Sequence, residues 1–179
     1  MKPPLLAALL CALPFALAPA VGSAAVDPAE WEAAVAAAQD VDPTIEPLSP
    51  EAGSVTIVGG AKEVLGSAQT FAVSARQRLA DVTGRMTLVV GSGTIFKASV
   101  VCIDAVTLPS GGGFAMVAGE LDQPSGVNNA LVFRITDSAQ PGGEGDTWDQ
   151  QTEQAVPQCV AAPGTQAVVA GNVVIDPGG

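Results

Sequence analysis

Apolar and polar residues alternate along most of this chain, beginning at Ser54. In the run 69–76, Phe71, Val73 and Ala75 fall on one face, with polar or small residues between them. A two-residue period is typical of antiparallel strands that have one buried and one wetter face. Gly, Asn, Asp and Pro separate the runs, as they do in turns. We predict strands at residues 54–58, 69–76, 84–90, 94–106, 113–121, 130–137 and 166–175.

About seven or eight strands with no helix between them indicate a single antiparallel β-sandwich or barrel. The alternation does not separate these two architectures. We place this all-β domain at residues 54–176, which is enough chain to bury a core of its own. Turn-forming residues predict loops at 80–84, 91–93 and 109–113. Residues 177–179 are expected to form a short tail.

Residues 26–53 lack the alternation and are predicted to form a short helix and a linker. Asp27 and Pro28 supply an N-cap and a proline at the first helical position, and Ala-rich sequence follows to about Gln39. Three prolines and three acids in 40–50 cannot continue the helix, so a linker is predicted there. The sequence leaves open whether the helix packs on the β-domain. Its apolar face would contain Trp31, Ala34, Val35 and Ala38.

The first 25 residues have the anatomy of a secretory signal peptide. Met1 and Lys2 supply a positive start, residues 5–18 are almost continuously apolar, and small residues at 21–25 offer a cleavage site. An apolar segment this short, followed directly by a cleavage site, is not a membrane anchor. We therefore expect a secreted protein, extracellular or periplasmic, with no membrane insertion after cleavage. Disulfides persist in such compartments.

The cysteines support this expectation. Cleavage removes Cys11 and leaves Cys102 and Cys159 as an even pair. A single pair in an exported chain predicts a disulfide with only one connectivity. Its long loop would contribute about 4 kcal/mol of stability in the chain-entropy model. The alternative is two buried free thiols.

Composition excludes several classes of function. Loss of Lys2 with the signal peptide changes the formal net charge from −11 to −12, and the remaining basic residues do not cluster. Nucleic acid and anionic membrane surfaces repel such a chain, so neither is expected as a partner. The chain has no histidine, which excludes Ser-His-Asp triads, Cys-His pairs and His-ligated zinc. It also has no tyrosine and few other aromatic residues to stack on sugars or bases.

One acidic segment, 137–149, is a candidate calcium site. Four carboxylates within 13 residues, set among glycines, supply hard oxygen ligands on a pliable backbone. Their spacing matches no EF-hand, and the alternative is a solvated turn in which Asp137 accepts backbone N–H bonds. The candidate ligands are Asp137, Glu144, Asp146 and Asp149.

Two enzymatic alternatives are unconstrained by any motif. Paired carboxylates suited to glycoside hydrolysis are available from Glu120, Asp122, Asp137 and Asp146. A Ser–Lys dyad would use Lys62 or Lys97, but a lysine within a strand more often faces solvent or an edge. We do not predict an enzyme.

Several segments follow one another in a distinctive order: 97–106 around Cys102, the Pro-Gly-rich stretch 141–146, Cys159, and Gly-Asn-Val-Val-Ile at 171–175. Together they resemble a group of small secreted bacterial β-domains of unknown function. That group combines a V-x-C-[IL]-x-V strand, a V-x-D-x-G-E-x-G-x-x-D loop, a second cysteine and a final G-N-[IV]-x-[IV] strand.

The resemblance spans about residues 54–175 and implies the all-β fold and the bridge between the two cysteines, but no activity. This chain departs from the pattern at Ala105, where a valine stands in the group, and at 138–140. Residues 150–153 are more polar than the buried strand expected there.

We therefore expect a non-enzymatic structural or binding module without a cofactor. A module that binds a protein or a glycan would have an accessible Trp148, whereas a lone tryptophan in this position more often closes the core. A calcium-dependent module would lose stability on chelation. An enzyme would have two carboxylates converging in a cleft, at least one with a raised pKa.

Overall fold

The computed structural model describes residues 26–63, 69–91, 93–109 and 111–178, and the predicted signal peptide lies outside them. None of the helices in these ranges is long and apolar enough to cross a membrane. The helix α1 spans Pro28–Val41. The strands are β1 (Val55–Glu63), β2 (Gln69–Arg78), β3 (Asp81–Val90), β4 (Thr94–Thr107), β5 (Gly113–Ser125), β6 (Asn128–Asp137), β7 (Thr147–Glu153), β8 (Gln166–Ala167) and β9 (Ala170–Asp176). The all-β prediction is confirmed.

The nine strands form one antiparallel sheet in the order β8-β7-β6-β5-β4-β3-β2-β1-β9. β8 and β9 lie at opposite edges of this sheet, yet only residues 168 and 169 separate them along the chain. Three residue steps span at most about 11 Å, so the two edges approach each other at this point. The sheet is therefore curled into a half-barrel and is not divided into the two layers of a sandwich.

The concave face of the half-barrel carries the main core, centred on three aromatic side chains. Phe71, Phe133 and Trp148 are all fully buried. The ring centroids of Phe71 and Trp148 are 4.2 Å apart in a stacked arrangement, and Phe133 meets Trp148 edge-on at 6.0 Å. Such pairs contribute stability beyond the area that they bury. The predicted core position of Trp148 is confirmed.

Helix α1 packs on the outer face of the sheet, over β1, β2 and β9. Asp27 caps the helix by accepting a hydrogen bond of 2.9 Å from the backbone N–H of Ala29. Gly60 allows the close approach, because a Cβ at this position would lie 2.4 Å from the carbonyl oxygen of Ala37. The sequence left the docking of this helix open, and the structure resolves it. The buried contact consists of Ala34, Ala38, Ile45, Val58, Ala72 and Val174.

A second segment, residues 154–165, covers the outer face of β4, β5 and β6, and we call it the strap. Cys159 in the strap is disulfide-bonded to Cys102 in β4, with the two Cα atoms 6.0 Å apart. The backbone N–H of Ala161 donates to Asp104 Oδ2 at 2.8 Å. The predicted disulfide is confirmed, and it fixes the strap to the middle of the sheet.

The polar segment 150–153, where we expected no buried strand, belongs to β7. The strand itself was not predicted, but its residues 150–153 are only half-buried, and inward side chains find polar partners. The amide of Gln150 donates to Gln69 Oε1. Thr152 Oγ1 accepts from Asn128 Nδ2 at 2.8 Å. Polar residues therefore continue the strand, although Gln150 Oε1 is buried without a hydrogen-bond partner among the described residues.

Three strand boundaries also differ from the prediction. The predicted loop 80–84 is wrong, because the β2–β3 turn is confined to Leu79 and Ala80. The predicted strand 166–175 is interrupted at 168–169, where the chain crosses from one edge of the sheet to the other. β1 continues past residue 58, since β2 and β9 flank it on both sides.

Candidate functional site

The four predicted calcium ligands lie in different surroundings. Asp137 and Asp146 are buried, whereas Glu144 is exposed. Asp149, on the outer face of β7, accepts hydrogen bonds from Thr165 N at 3.1 Å and Thr165 Oγ1 at 2.8 Å. In the described part of the chain, no three His, Cys, Asp or Glu side chains are grouped so as to hold a metal ion. Calcium binding therefore stays a prediction from the sequence.

Asp137 and Asp146 hold the free edge of β9. Asp137 Oδ2 accepts from the backbone N–H of Ile175 at 2.9 Å. Asp146 Oδ2 accepts from the backbone N–H of Val173 at 3.2 Å. We call these four residues the seam, because they join the loop after β6 to the last strand. The two carboxylates take the place of a neighbouring strand along this edge.

The other oxygen of each seam carboxylate is also occupied. Asp137 Oδ1 accepts from Ala139 N at 2.7 Å. Asp146 Oδ1 accepts from both the backbone N–H and the hydroxyl of Ser138, each at 3.0 Å. Because every oxygen of these two carboxylates accepts a hydrogen bond from the protein itself, the side chains stabilise the fold, and no oxygen is directed at a substrate.

The seam carboxylates are hard to ionise. Burial is the main cause, and with the charges of Asp146 and Glu30 it raises the pKa of Asp137 to about 6, against the hydrogen bonds from Ile175 and Ala139. Burial likewise raises the pKa of Asp146 above its ordinary value, against the hydrogen bonds from Ser138 and Val173. The pKa of Glu30, at the start of α1, is raised by burial and by the charges of Asp146 and Asp27.

Asn172 lies between the seam and helix α1. Its Nδ2 donates to the backbone oxygen of Glu30 at 3.1 Å. Its Oδ1 is buried and has no hydrogen-bond partner among the described residues. The contact with Glu30 ties the start of α1 to β9, so the helix and the seam belong to one unit.

Three of the residues weighed for an enzyme, Asp122, Lys62 and Lys97, form ion pairs. Asp122 forms a two-pronged ion pair with Arg85. The ammonium group of Lys62 lies 2.9 Å from Asp40 Oδ2. Lys97 Nζ lies 2.9 Å from the buried carboxylate of Asp42. Neither lysine is free to activate a serine.

A different feature, which the sequence did not predict, lies between β3 and β4. The two strands pair only from Arg85↔Ser99 to Val90↔Thr94. Beyond Arg85 and Ser99, residues 81–84 of β3 pair with β2 alone, residues 102–107 of β4 pair with β5 alone, and Val101 is the unpaired residue of the bulge in β4. The sheet therefore splits, and β4 has an open edge at 101–107.

Backbone groups of β4 point into this split. Leu108 N donates to Gly112 O, which places a hydrogen-bonded pair at the end of the β4–β5 ladder. Backbone groups alternate in direction along an antiparallel strand, so those of Ile103, Ala105 and Thr107 point away from β5. None of the three has a hydrogen-bond partner on that side within the described ranges. The open edge thus presents unused donors and acceptors.

Two local features lie at the level where β3 and β4 stop pairing. β4 carries a bulge between Val100 and Cys102, and an extra residue bends a strand. Gly84 in β3 has a φ of 146°, and a Cβ there would lie 2.4 Å from the carbonyl oxygen of Ser74 in β2. Only glycine fits this position. The bulge in β4 and the close contact of β3 with β2 both lie where the split begins.

No family model matches the chain, and no match is found among curated proteins or among solved structures. The resemblance to small secreted β-domains stays a prediction. Any functional argument therefore rests on the geometry of this molecule alone.

One signal in the sequence marks the bulge. Apolar residues occupy even positions at Ala98 and Val100 and then odd positions at Ile103 and Ala105. A change of phase within one strand is what a bulge produces, since it adds one residue to the period. The seam has no comparable signal, because an aspartate after a strand is equally common in ordinary turns.

Proposed function

We propose that the protein is an exported, non-enzymatic binding module that takes up an extended segment of a partner protein as an added strand on the open edge of β4. The observation that supports this proposal is the open edge itself. In strand addition, main-chain hydrogen bonds give affinity, and pockets for alternate side chains give specificity. The seven residues at 101–107 match the usual length of a strand.

The treatment of the other edges supports the same conclusion. Proteins protect exposed sheet edges with short strands or inward-pointing charges, because unpaired edges recruit other chains. β8 has only two residues, and the edge of β9 is held by Asp137 and Asp146. The edge of β4 has neither protection and is flanked by Val101 and Val106, which are 42% and 44% exposed.

The alternatives receive less support from the geometry. A protein- or glycan-binding module was expected to have an accessible Trp148, and this side chain is fully buried, so neither kind of partner can be bound through it; strand addition on β4 does not use it. Hydrolysis by paired carboxylates needs free oxygens in a cleft, whereas those of Asp137 and Asp146 are occupied by backbone donors. Export is supported by the signal-like residues 1–25 and by the disulfide.

The test is selection of random displayed peptides against the immobilised mature protein, followed by amide hydrogen exchange. We expect selected peptides to slow exchange at Ile103, Ala105 and Thr107. Ala105→Pro removes an N–H that no strand of the protein uses, so the fold should survive while peptide affinity falls at least about tenfold. Ala105→Ser keeps the N–H and is the matched control. Thr107→Pro provides a second variant in case the first fails to fold.

Two results would overturn the proposal. One is a selection that returns no peptide able to slow exchange at these three amides. The other is equal binding by folded Ala105→Pro and Ala105→Ser proteins, since strand addition requires the N–H that only the serine variant retains.

A further inference from the structure

We propose, building on strand addition at β4, that the bound segment alternates apolar and basic residues, with the apolar side chains directed into the half-barrel. This inference names the chemistry of the partner that the open edge selects. It rests on the proposed function. Three further observations support it: a cavity beside the open edge, two exposed acids, and the alternation of inward and outward side chains in the neighbouring strands.

An open cavity of about 370 Å³ lies at the end of the half-barrel beside the split. Val55, Ile103, Ala105 and Pro177 contribute apolar surface to its wall. A strand added next to β4 would place every second side chain on the same side as Ile103 and Ala105. The cavity therefore suits apolar side chains of the incoming segment.

Leu79 extends the apolar surface at the rim of this cavity. It lies at the tip of the β2–β3 turn, 88% exposed, with a φ of 54°. A positive φ is uncommon for a residue with a side chain, and exposing the apolar side chain of a leucine to water does not stabilise the protein. Contact with an apolar ligand would give this side chain a partner.

The acids beside the split give the segment its charge. Asp81 in β3 and Asp104 in β4 are both exposed, and their positions in the alternation put them on the outer face. Neither forms an ion pair among the described residues. The nearby cations Arg76 and Arg78 share the one carboxylate of Glu51, and Arg78 lies opposite Asp81 in the β2–β3 register. Outward side chains of an added strand would lie between the carboxylates of Asp81 and Asp104.

Charge and alternation together specify the partner. Inward positions meet the apolar part of the cavity wall, and outward positions meet Asp81 and Asp104, so apolar and basic residues should occupy alternate places. The net charge of −11 adds a long-range attraction for a basic segment, which salt will weaken. A second copy of this chain is a poor occupant, because antiparallel pairing centred on 101–107 would place Asp104 opposite Asp104.

The experiment uses three synthetic peptides with a core of about seven residues. One alternates Val and Lys, one has the same composition in two blocks, and one alternates Val and Glu. Affinities are measured by calorimetry at low and at physiological salt. We expect the Val–Lys peptide to bind, the block peptide to bind at least about tenfold more weakly, and the Val–Glu peptide to bind weakest.

Variants of the protein identify the groups responsible. Asp81→Asn and Asp104→Asn should each weaken binding of the Val–Lys peptide about threefold to fivefold at low salt. The asparagine at 104 retains an oxygen to accept from Ala161, so the strap stays in place. Asp149→Asn removes the same charge on the outer face of β7 and should leave the affinity unchanged.

The outcomes separate the partner's chemistry from strand addition itself. Equal binding of the Val–Lys and Val–Glu peptides, or an Asp149→Asn effect equal to that of Asp104→Asn, would overturn the basic segment and leave strand addition standing. Equal binding of the alternating and block peptides would overturn the inward apolar positions. If no peptide binds, this inference fails, and the random selection described above decides the proposed function independently.

Discussion

Asp137 Oδ2, at the end of β6, accepts a hydrogen bond of 2.9 Å from the backbone N–H of Ile175 in β9. This contact closes the half-barrel through a side chain where a strand pair would otherwise do so. Desolvation and neighbouring charges oppose ionisation of that side chain. The closure of the sheet is therefore linked to pH.

Stability should fall as the pH rises through the range in which Asp137 ionises. The pKa of Asp137 is raised from 3.8 to about 6 in the folded protein, so the folded state binds this proton more tightly than the unfolded chain. Its contribution is fully present below about pH 4 and is lost as the pH passes about 6. The change amounts to about 3 kcal/mol. Urea unfolding between these pH values measures it.

Asp137→Asn tests the assignment. The amide does not titrate, so the slope of stability against pH should flatten, although the variant loses a hydrogen bond to Ile175 or Ala139. Glu144→Gln changes an exposed acid on the same loop and should leave the slope as it is. An unchanged slope in the Asp137 variant would refute the link between the seam and pH.

The contribution of Asp42 to stability should depend on pH in the opposite direction. Burial disfavours its charge, but hydrogen bonds from Thr44, Lys97 and Thr87 outweigh burial and hold the pKa of Asp42 well below its usual range. Its contribution is present above about pH 4 and is lost below that value. Asp42→Ala should cost about 2–3 kcal/mol at neutral pH, because it removes the acceptor of the buried Thr87 hydroxyl and the carboxylate paired with Lys97.

The matched control for this variant is Asp40→Ala. Asp40 is paired with Lys62, but both side chains are at least half exposed. Exposed pairs contribute little, so the loss of stability should be below about 1 kcal/mol. Equal losses of stability in the two variants would show that the buried hydrogen bonds of Asp42 contribute no more than an exposed ion pair.

Trp148→Ala should destabilise the fold by about 3–5 kcal/mol, because it removes the largest fully buried side chain from the aromatic group. Trp148→Phe keeps an aromatic ring facing Phe71 and should cost less. Trp31→Phe, in the partly buried face of α1, is the control for loss of a tryptophan. Chemical denaturation followed by circular dichroism measures all three, and a loss below about 1 kcal/mol in Trp148→Ala would contradict the central position of this residue.

Removal of the disulfide should lower stability by about 4 kcal/mol, since Cys102 and Cys159 are 57 residues apart. The double substitution to serine avoids reducing agents. Amide exchange should accelerate first in the strap at 154–165, which the bridge holds on the outer face. Unchanged exchange there, with the bridge absent, would mean that other contacts such as Ala161 with Asp104 suffice.

The strands could be predicted because their side chains alternate in polarity. Phe71, Val73 and Ala75 point inward as the sequence indicates. β7 escaped prediction because Gln150 and Thr152 point inward too, and each forms a hydrogen bond with a residue far along the chain. Local periodicity contains no information about such distant partners.

The candidate site was largely invisible to sequence reasoning. The acids at 137–149 were identified, but their division into two buried and two outer carboxylates depends on where β9 lies. The open edge depends on the relative register of β3 and β4, whose pairing ends beside the bulge after Val100. Register is a property of two strands, and a single strand's sequence specifies only its own faces.

The pairing of β1 with β9 also has a consequence for the order of folding. Thr56 pairs with Asp176, near the opposite end of the described chain. Contacts that close so long a loop form slowly, because the entropy of the intervening chain is lost before they are gained. Until residues 170–176 arrive, β1 has one neighbour and α1 has an incomplete surface to pack on. We therefore expect the last strand to be placed late in folding, and β1 to stay accessible to proteases until it is in place.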